Sequence, residues 1–229
     1  MQEFEDSNDT EQKLMQLLEP EFDPVNWLDP DNINDILKIV KLHGGPREGD
    51  IFSCDGYLDR RRLFSFALLS AKPKSVLEIG FNRGLSALLA LTITPGMSLT
   101  CIDICTHAYV EPIHRFMSGR YVGRTELIRG DSRDVFRSIR EQHYDVYVID
   151  GGHGLDCCYT DLVNCINHAR QGSLIYIDDL DYAEISIVVD CFIVRGMLTE
   201  LSLRSSCLTS RYSSIFAVAS DQYTLSKAK

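Results

Sequence analysis

Apolar positions along the chain gather from Lys74 onward into short runs separated by amphipathic stretches. "KSVLEIG" (74–80) places Val76, Leu77 and Ile79 on both parities of an extended chain, the pattern of a strand buried on both faces. "GLSALLALTIT" follows with helical character, and the alternation then repeats. Strands are predicted over "MSLTCIDI", "TELIRGD", "YDVYVIDGG" and "GSLIYIDDL". Helices are predicted over "SRDVFRSIREQ", "CYTDLVNCINHAR" and "YAEISIVVDCFIVRG", and "HRFMSGRY" is expected to be part of another. Strands spaced by helices imply parallel pairing with helices on both faces. At the C-terminal end "LTELSLRS" and "SSIFAVAS" alternate apolar and polar residues and lie close together, which requires an antiparallel pair. The expected fold class is therefore α/β: a doubly wound, seven-stranded sheet of five parallel strands plus a C-terminal antiparallel hairpin at one edge.

The pattern before Lys74 divides differently. Residues 1–12 are polar and acidic and read as a disordered tail. Residues 13–58 form an expected helical segment, a lid over the main domain of 59–229. It holds a short helix around "EQKLMQLL", a Pro-broken acidic stretch and a second helix around "NINDILKIVKL". The Gly- and Pro-containing "HGGPREGD" (43–50) is a loop. "DRRRLFSFALLSA" is then a helix, with Asp59 as its expected N-cap.

Charge sharpens this division. Residues 1–35 carry eleven Asp and Glu against one basic residue, Lys13, and so account for the whole net charge of -10. The rest of the chain is balanced and offers no basic field to nucleic acid. Arg60, Arg61 and Arg62 form a local exception, expected to be a solvated helix face. No apolar run approaches the roughly 18 residues of a membrane span. The acidic start lacks the apolar core of a secretory leader. Eight cysteines without a CxxC pair read as structural thiols in a reducing cytoplasm. Expected partners are thus a small molecule, with neither nucleic acid nor membrane, and self-association into a homo-oligomer stays open.

"EIGFNRG" (78–84) lies where the first strand meets its helix, a place where doubly wound sheets bind ligands. Its glycines allow close approach to the backbone, and the helix start offers free N–H groups. A phosphate-wrapping P-loop needs Lys after its last glycine, but Leu85 and Ser86 follow Gly84. A dinucleotide loop needs a middle glycine, but Phe81, Asn82 and Arg83 separate Gly80 from Gly84. Glu78 suits a ligand with a positive end. Arg83 is an unusual long charge here, either covering a pocket or reaching an acidic ligand.

The E-x-G-x-x-x-G-x-S pattern of Glu78, Gly80, Gly84 and Ser86 resembles motif I of class I S-adenosylmethionine-dependent methyltransferases, which have a Rossmann-like fold. The similarity is strongest to small-molecule O-methyltransferases of the catechol and sugar type, and runs from Lys74 to about Tyr182. It implies a cofactor-binding set of Glu78, Gly80, Phe81, Asn82, Gly84, Ser86, Asp103, Asp131, Ser132 and Asp150. Glu78 and Ser86 would meet the amino-acid end of the donor, although an acidic residue there can instead brace the loop. Asp103, nineteen residues after Gly84, would accept two hydrogen bonds from the ribose diol. Asp131 and Ser132 would face the adenine, or else cap the next helix.

Asp150 ends the fourth strand and Asp178 and Asp179 end the fifth, so three carboxylates meet on one rim. Clustered without a cation they would repel, and oxygen ligands suit Mg²⁺. The resemblance to metal-dependent members implies Asp150, Asp178 and Asp179 as ligands of Mg²⁺. Alternatively Asp179 or Asp181 caps the helix beginning near Tyr182. "DGGH" places His153 three residues after Asp150, as in sugar O-methyltransferases with a histidine base, so His153 or Asp150 would take the acceptor's proton. "HGGPREGDIFSCDGY", with Tyr57 or Arg47, is expected to line the acceptor pocket. Two other functions compete: a non-catalytic S-adenosylmethionine-binding domain, and a nicotinamide-dependent oxidoreductase. The latter would need the missing glycine and a Tyr-x-x-x-Lys pair.

Overall fold

The apolar runs become strands β1 (Ser75–Ile79), β2 (Ser98–Asp103), β3 (Thr125–Arg129), β4 (Val146–Ile149) and β5 (Leu174–Ile177). The structure, a computed structural model, describes residues 2–45, 57–139, 143–201, 208, 210 and 212–218, with side chains from residue 9 onward. Arg47 and most of the expected acceptor-pocket loop, together with Cys54 and Cys207, lie outside the described residues. β6 (Leu198–Glu200) and β7 (Ser214–Val218) complete one sheet in the order β3-β2-β1-β4-β5-β7-β6. The first five strands are parallel, and β7 runs antiparallel to both β5 and β6. The doubly wound sheet with a terminal antiparallel pair is thus as expected.

Helices cover both faces because the central strands are apolar on both. On one face, α3 (Leu58–Ala71), α4 (Leu85–Ile93) and α5 (Val110–Arg120) share a core with Val76 and Val148. On the other, α7 (Leu155–His168) and α8 (Ala183–Val194) pack with Leu77 and Tyr147. The expected helix after β3 is short: α6 (Ser132–Val135) passes into a 3₁₀ turn over Phe136–Ser138, and Ile139 is extended. Phe136 is buried there and anchors the turn to the sheet.

The N-terminal helices α1 (Gln2–Leu17) and α2 (Pro30–Leu42) join the first face through Leu17, Ile36 and Val40. Backbone helix reaches back to Gln2, across the stretch read as disordered. Burial of Leu17 anchors its far end, and acidic residues near a helix N-terminus are favoured by its dipole.

The three arginines are not a solvated face: Arg60, Arg61 and Arg62 are 9%, 5% and 2% exposed. Arg62 donates to the carbonyl of Leu17, which the end of α1 leaves without a helical partner, and to those of Glu19 and Pro20 in the turn that follows. Arg61 clasps Asp23 through two nitrogens at 2.8 and 2.6 Å. Arg60 points to the strand ends. Each charge has its own partner, and that is why all three are buried. Asp59 is not the N-cap of α3; Tyr57 holds that place without a side-chain cap.

Candidate active site

β1 lies between β2 and β4, so the strand order reverses beside it and leaves a crevice past the carboxyl ends. Gly80, Asp103 and Asp150 sit at those three ends. Gly80 has φ +98°, and a Cβ there would lie 1.9 Å from the Asp150 carbonyl oxygen. Gly84 has φ +64°, and a Cβ there would strike the Phe81 ring. These glycines therefore let the loop pack on its own neighbours, beyond any approach of a ligand.

Asp103 clamps the loop. Its Oδ2 accepts the backbone N–H groups of Phe81 (3.0 Å) and Asn82 (2.8 Å), and its Oδ1 accepts that of Cys105 (2.6 Å). A carboxylate has about four acceptor positions, so roughly one remains, not the two expected for a ribose diol. Asn82 is held at φ +45° with its Oδ1 accepting from the Tyr109 hydroxyl at 2.7 Å. Glu78 lies beneath the loop, 1% exposed, where it accepts from the Ser86 hydroxyl and from the Cys101 thiol at 3.4 Å. Burial pushes its carboxyl up to about 7. Glu78 thus braces the loop from below. Arg83 is also buried and does not reach over the crevice.

The crevice is a cavity of about 340 Å³, within the range of small-molecule sites. Six of the expected residues line it: Gly80, Asn82, Asp103, Asp131, Ser132 and Asp150. Glu78, Phe81, Gly84 and Ser86 are not among its lining residues. Sequence reasoning missed Ile104 and His107 after β2, Arg133 in α6 and Cys157 in α7. Their signal was proximity to strand ends. Asp131 is also the N-cap of α6, accepting from the Arg133 backbone at 3.0 Å, and the Arg133 guanidinium holds its carboxyl below the usual range.

The neighbouring rim, past β4 and β5, is filled by side chains. Arg60 Nη1 lies 2.9 Å from Asp179 Oδ1 and 3.2 Å from Asp178 Oδ1, and Nη2 lies 3.5 Å from Asp181 Oδ1. The guanidinium is flanked by the Tyr57 and Tyr212 rings at 4.8 and 4.7 Å. The second oxygen of Asp179 faces His153 Nε2 at 2.8 Å, and the His153 ring lies against Tyr182 with centroids 4.3 Å apart. Asp179 adopts φ +58°, a strained backbone for a residue with a side chain. Neither Asp179 nor Asp181 caps α8, whose N-cap is Tyr182. Removal from water, then the nearby Asp178 and Asp179, raise the Asp150 carboxyl well above its usual range.

Asp150, Asp178 and Asp179 are brought together as expected, and their oxygens suit Mg²⁺ chemically. The cation among them, however, is a guanidinium: Arg60 faces both Asp178 and Asp179, so the donor set is already engaged. Among the described residues no group of three His, Cys, Asp or Glu side chains has the geometry to hold a metal ion. The arrangement does not fit the Mg²⁺ expected there. A second, small cavity of about 20 Å³ lies behind this rim, lined by Arg60, Ser86, Asp150 and Asp178 among others.

Comparison with known proteins agrees with this fold. Residues 77–180 match the family model described as a methyltransferase domain. Cofactor-bound Rv0187 from MTB superposes with a TM-score of 0.67 at 15% identity, over 85% of this chain and 92% of that one. An O-methyltransferase from Bacillus cereus in complex with SAH gives 0.63 at 14% identity, over 84% and 92%. The O-methyltransferase TomG from Streptomyces achromogenes, involved in tomaymycin synthesis and in complex with SAM, gives 0.65 at 13% identity, over 84% and 91%. No curated protein sequence matches. The resemblance to class I methyltransferases is borne out, and the fold is theirs. No described helix is long and apolar enough to cross a membrane.

Proposed function

We propose that this chain is an S-adenosylmethionine-dependent O-methyltransferase acting on the hydroxyl of a small molecule. One observation carries the reading: the cavity of about 340 Å³ past the ends of β1, β2 and β4 is lined by Gly80, Asp103, Asp131 and Asp150, and Asp150 also neighbours the rim that carries Asp178 and Asp179. The large cavity suits the donor, with a carboxylate at the end of β2 and backbone at the end of β1. When bound, S-adenosylmethionine supplies an electrophilic methyl group, passed to the acceptor oxygen by in-line displacement.

The chain's own groups do the rest. Asp103 keeps the glycine loop in one conformation and offers its remaining acceptor position to one ribose hydroxyl. Asp131 and Ser132 border the adenine end. Asp179 orients His153 by accepting its Nε2 hydrogen, which leaves Nδ1 to take the acceptor's proton. Asp150 stands between the donor cavity and the rim of Asp178 and Asp179. Tyr57, next to the Arg60 guanidinium, borders the acceptor.

Calorimetric titration of S-adenosylmethionine into the full chain tests this. Micromolar binding competed by S-adenosylhomocysteine is the expected result. No heat with either compound would sink the methyltransferase reading. Donor binding without turnover on any hydroxyl acceptor would point instead to a binding domain.

A further inference from the structure

We propose that Arg60 is the resident cation of the acceptor rim, a guanidinium built into the chain in place of a divalent metal ion. The first support is position: Nη1 is shared between Asp178 and Asp179 at 3.2 and 2.9 Å. A Mg²⁺ ion needs oxygen ligands at about 2.0–2.1 Å, and would bring two further positive charges against the guanidinium. The second is anchorage. Arg60 is gripped between two tyrosine rings, and its neighbours Arg61 and Arg62 fasten the same turn of α3 to Asp23 and to the end of α1. The third is direction. Arg60 lies in the first turn of α3, where the helix dipole disfavours a cation, so the aspartates, not the helix, hold it there. Unlike an ammonium, a guanidinium keeps its charge at every working pH, and its planar fork matches carboxylates.

Arg60 thereby offsets the repulsion that would otherwise demand a metal, and leaves Asp179 Oδ2 free to orient His153. Exclusion of metal follows from this geometry alone. Metal-independent methyl transfer rests in addition on the reading given under Proposed function.

The test is titration of the full chain with Mn²⁺, followed by electron paramagnetic resonance, beside a donor titration of the same sample. Wild type should hold no stoichiometric Mn²⁺ at millimolar concentration. Arg60→Gln should gain one bound Mn²⁺, and adding Asp178→Asn to that variant should remove it. One Mn²⁺ held by wild type and lost in Asp178→Asn would overturn the proposal, as would a folded Arg60→Gln that binds none. Should Arg60→Gln not fold, the wild-type titration still decides between these outcomes. The donor titration separates the two claims, since it can fail while the Mn²⁺ result stands.

Discussion

On one side of Asp150 the cavity takes its shape from a glycine loop tied to Asp103 through backbone N–H groups; on the other, the rim takes its shape from charged side chains paired with one another. The large cavity is shaped by Gly80, by N–H groups gathered on Asp103, and by loops at three strand ends. The rim past β5 is shaped by Arg60, three aspartates and His153. Backbone walls depend on conformations that few residues can adopt, so they tolerate little change. Side-chain walls depend on charge balance, so substitutions there should alter chemistry before they alter the fold.

The largest expected effect breaks the first wall. Gly80→Ala sets a Cβ against the Asp150 carbonyl and should cost more than about 4 kcal/mol, seen as a lower denaturation midpoint and lost donor binding. Full donor affinity in that variant would refute the close-packed loop. On the rim, His153→Ala should lower kcat by roughly 10²–10⁴-fold while donor affinity stays within twofold of wild type, checked by single-turnover kinetics and calorimetry. A parallel loss of donor affinity would erase the distinction between the two sides.

Glu78 sharpens the comparison through pH. Burial lifts its carboxyl from 4.5 to about 7, so between those values the folded chain holds a proton that the unfolded chain has released. Its contribution to stability is full below about 4.5 and is lost as pH climbs through about 7. Glu78→Gln removes this dependence. The variant should gain relative to wild type by about 3 kcal/mol between acidic and mildly alkaline urea titrations. A constant difference across pH would show that Glu78 is not buried as described. The smallest effect is at Asp103, where Asp103→Asn should weaken donor binding about tenfold, near 1.4 kcal/mol, by calorimetry.

Much of this was legible in the sequence because strand and helix periods are local. The seven strands, and the arrival of Gly80, Asp103, Asp150 and Asp178 at one edge, followed from apolar spacing. What was not legible depends on distant partners. Arg60 and Asp179 are 119 positions apart, and nothing local in "DRRRL" distinguishes a buried guanidinium from a solvated one. The same holds for Glu78, whose proton donors Ser86 and Cys101 come from the next helix and the next strand. The cation among the aspartates was foreseen as a charge but not as an arginine, since repulsion calls for positive charge without specifying its carrier.

One turn of α3 directs three successive arginines to three separate bodies: the strand ends, the Asp23 turn and the close of α1. The opening helix and the reacting edge are therefore fastened to the same short piece of backbone. Shortening the chain by its first two dozen residues would release two of those three fastenings. Arg60 would be left as the one arginine tie on that turn, beside the apolar packing of α3, so a change made far from the strand ends would be felt in how the carboxylates there are held.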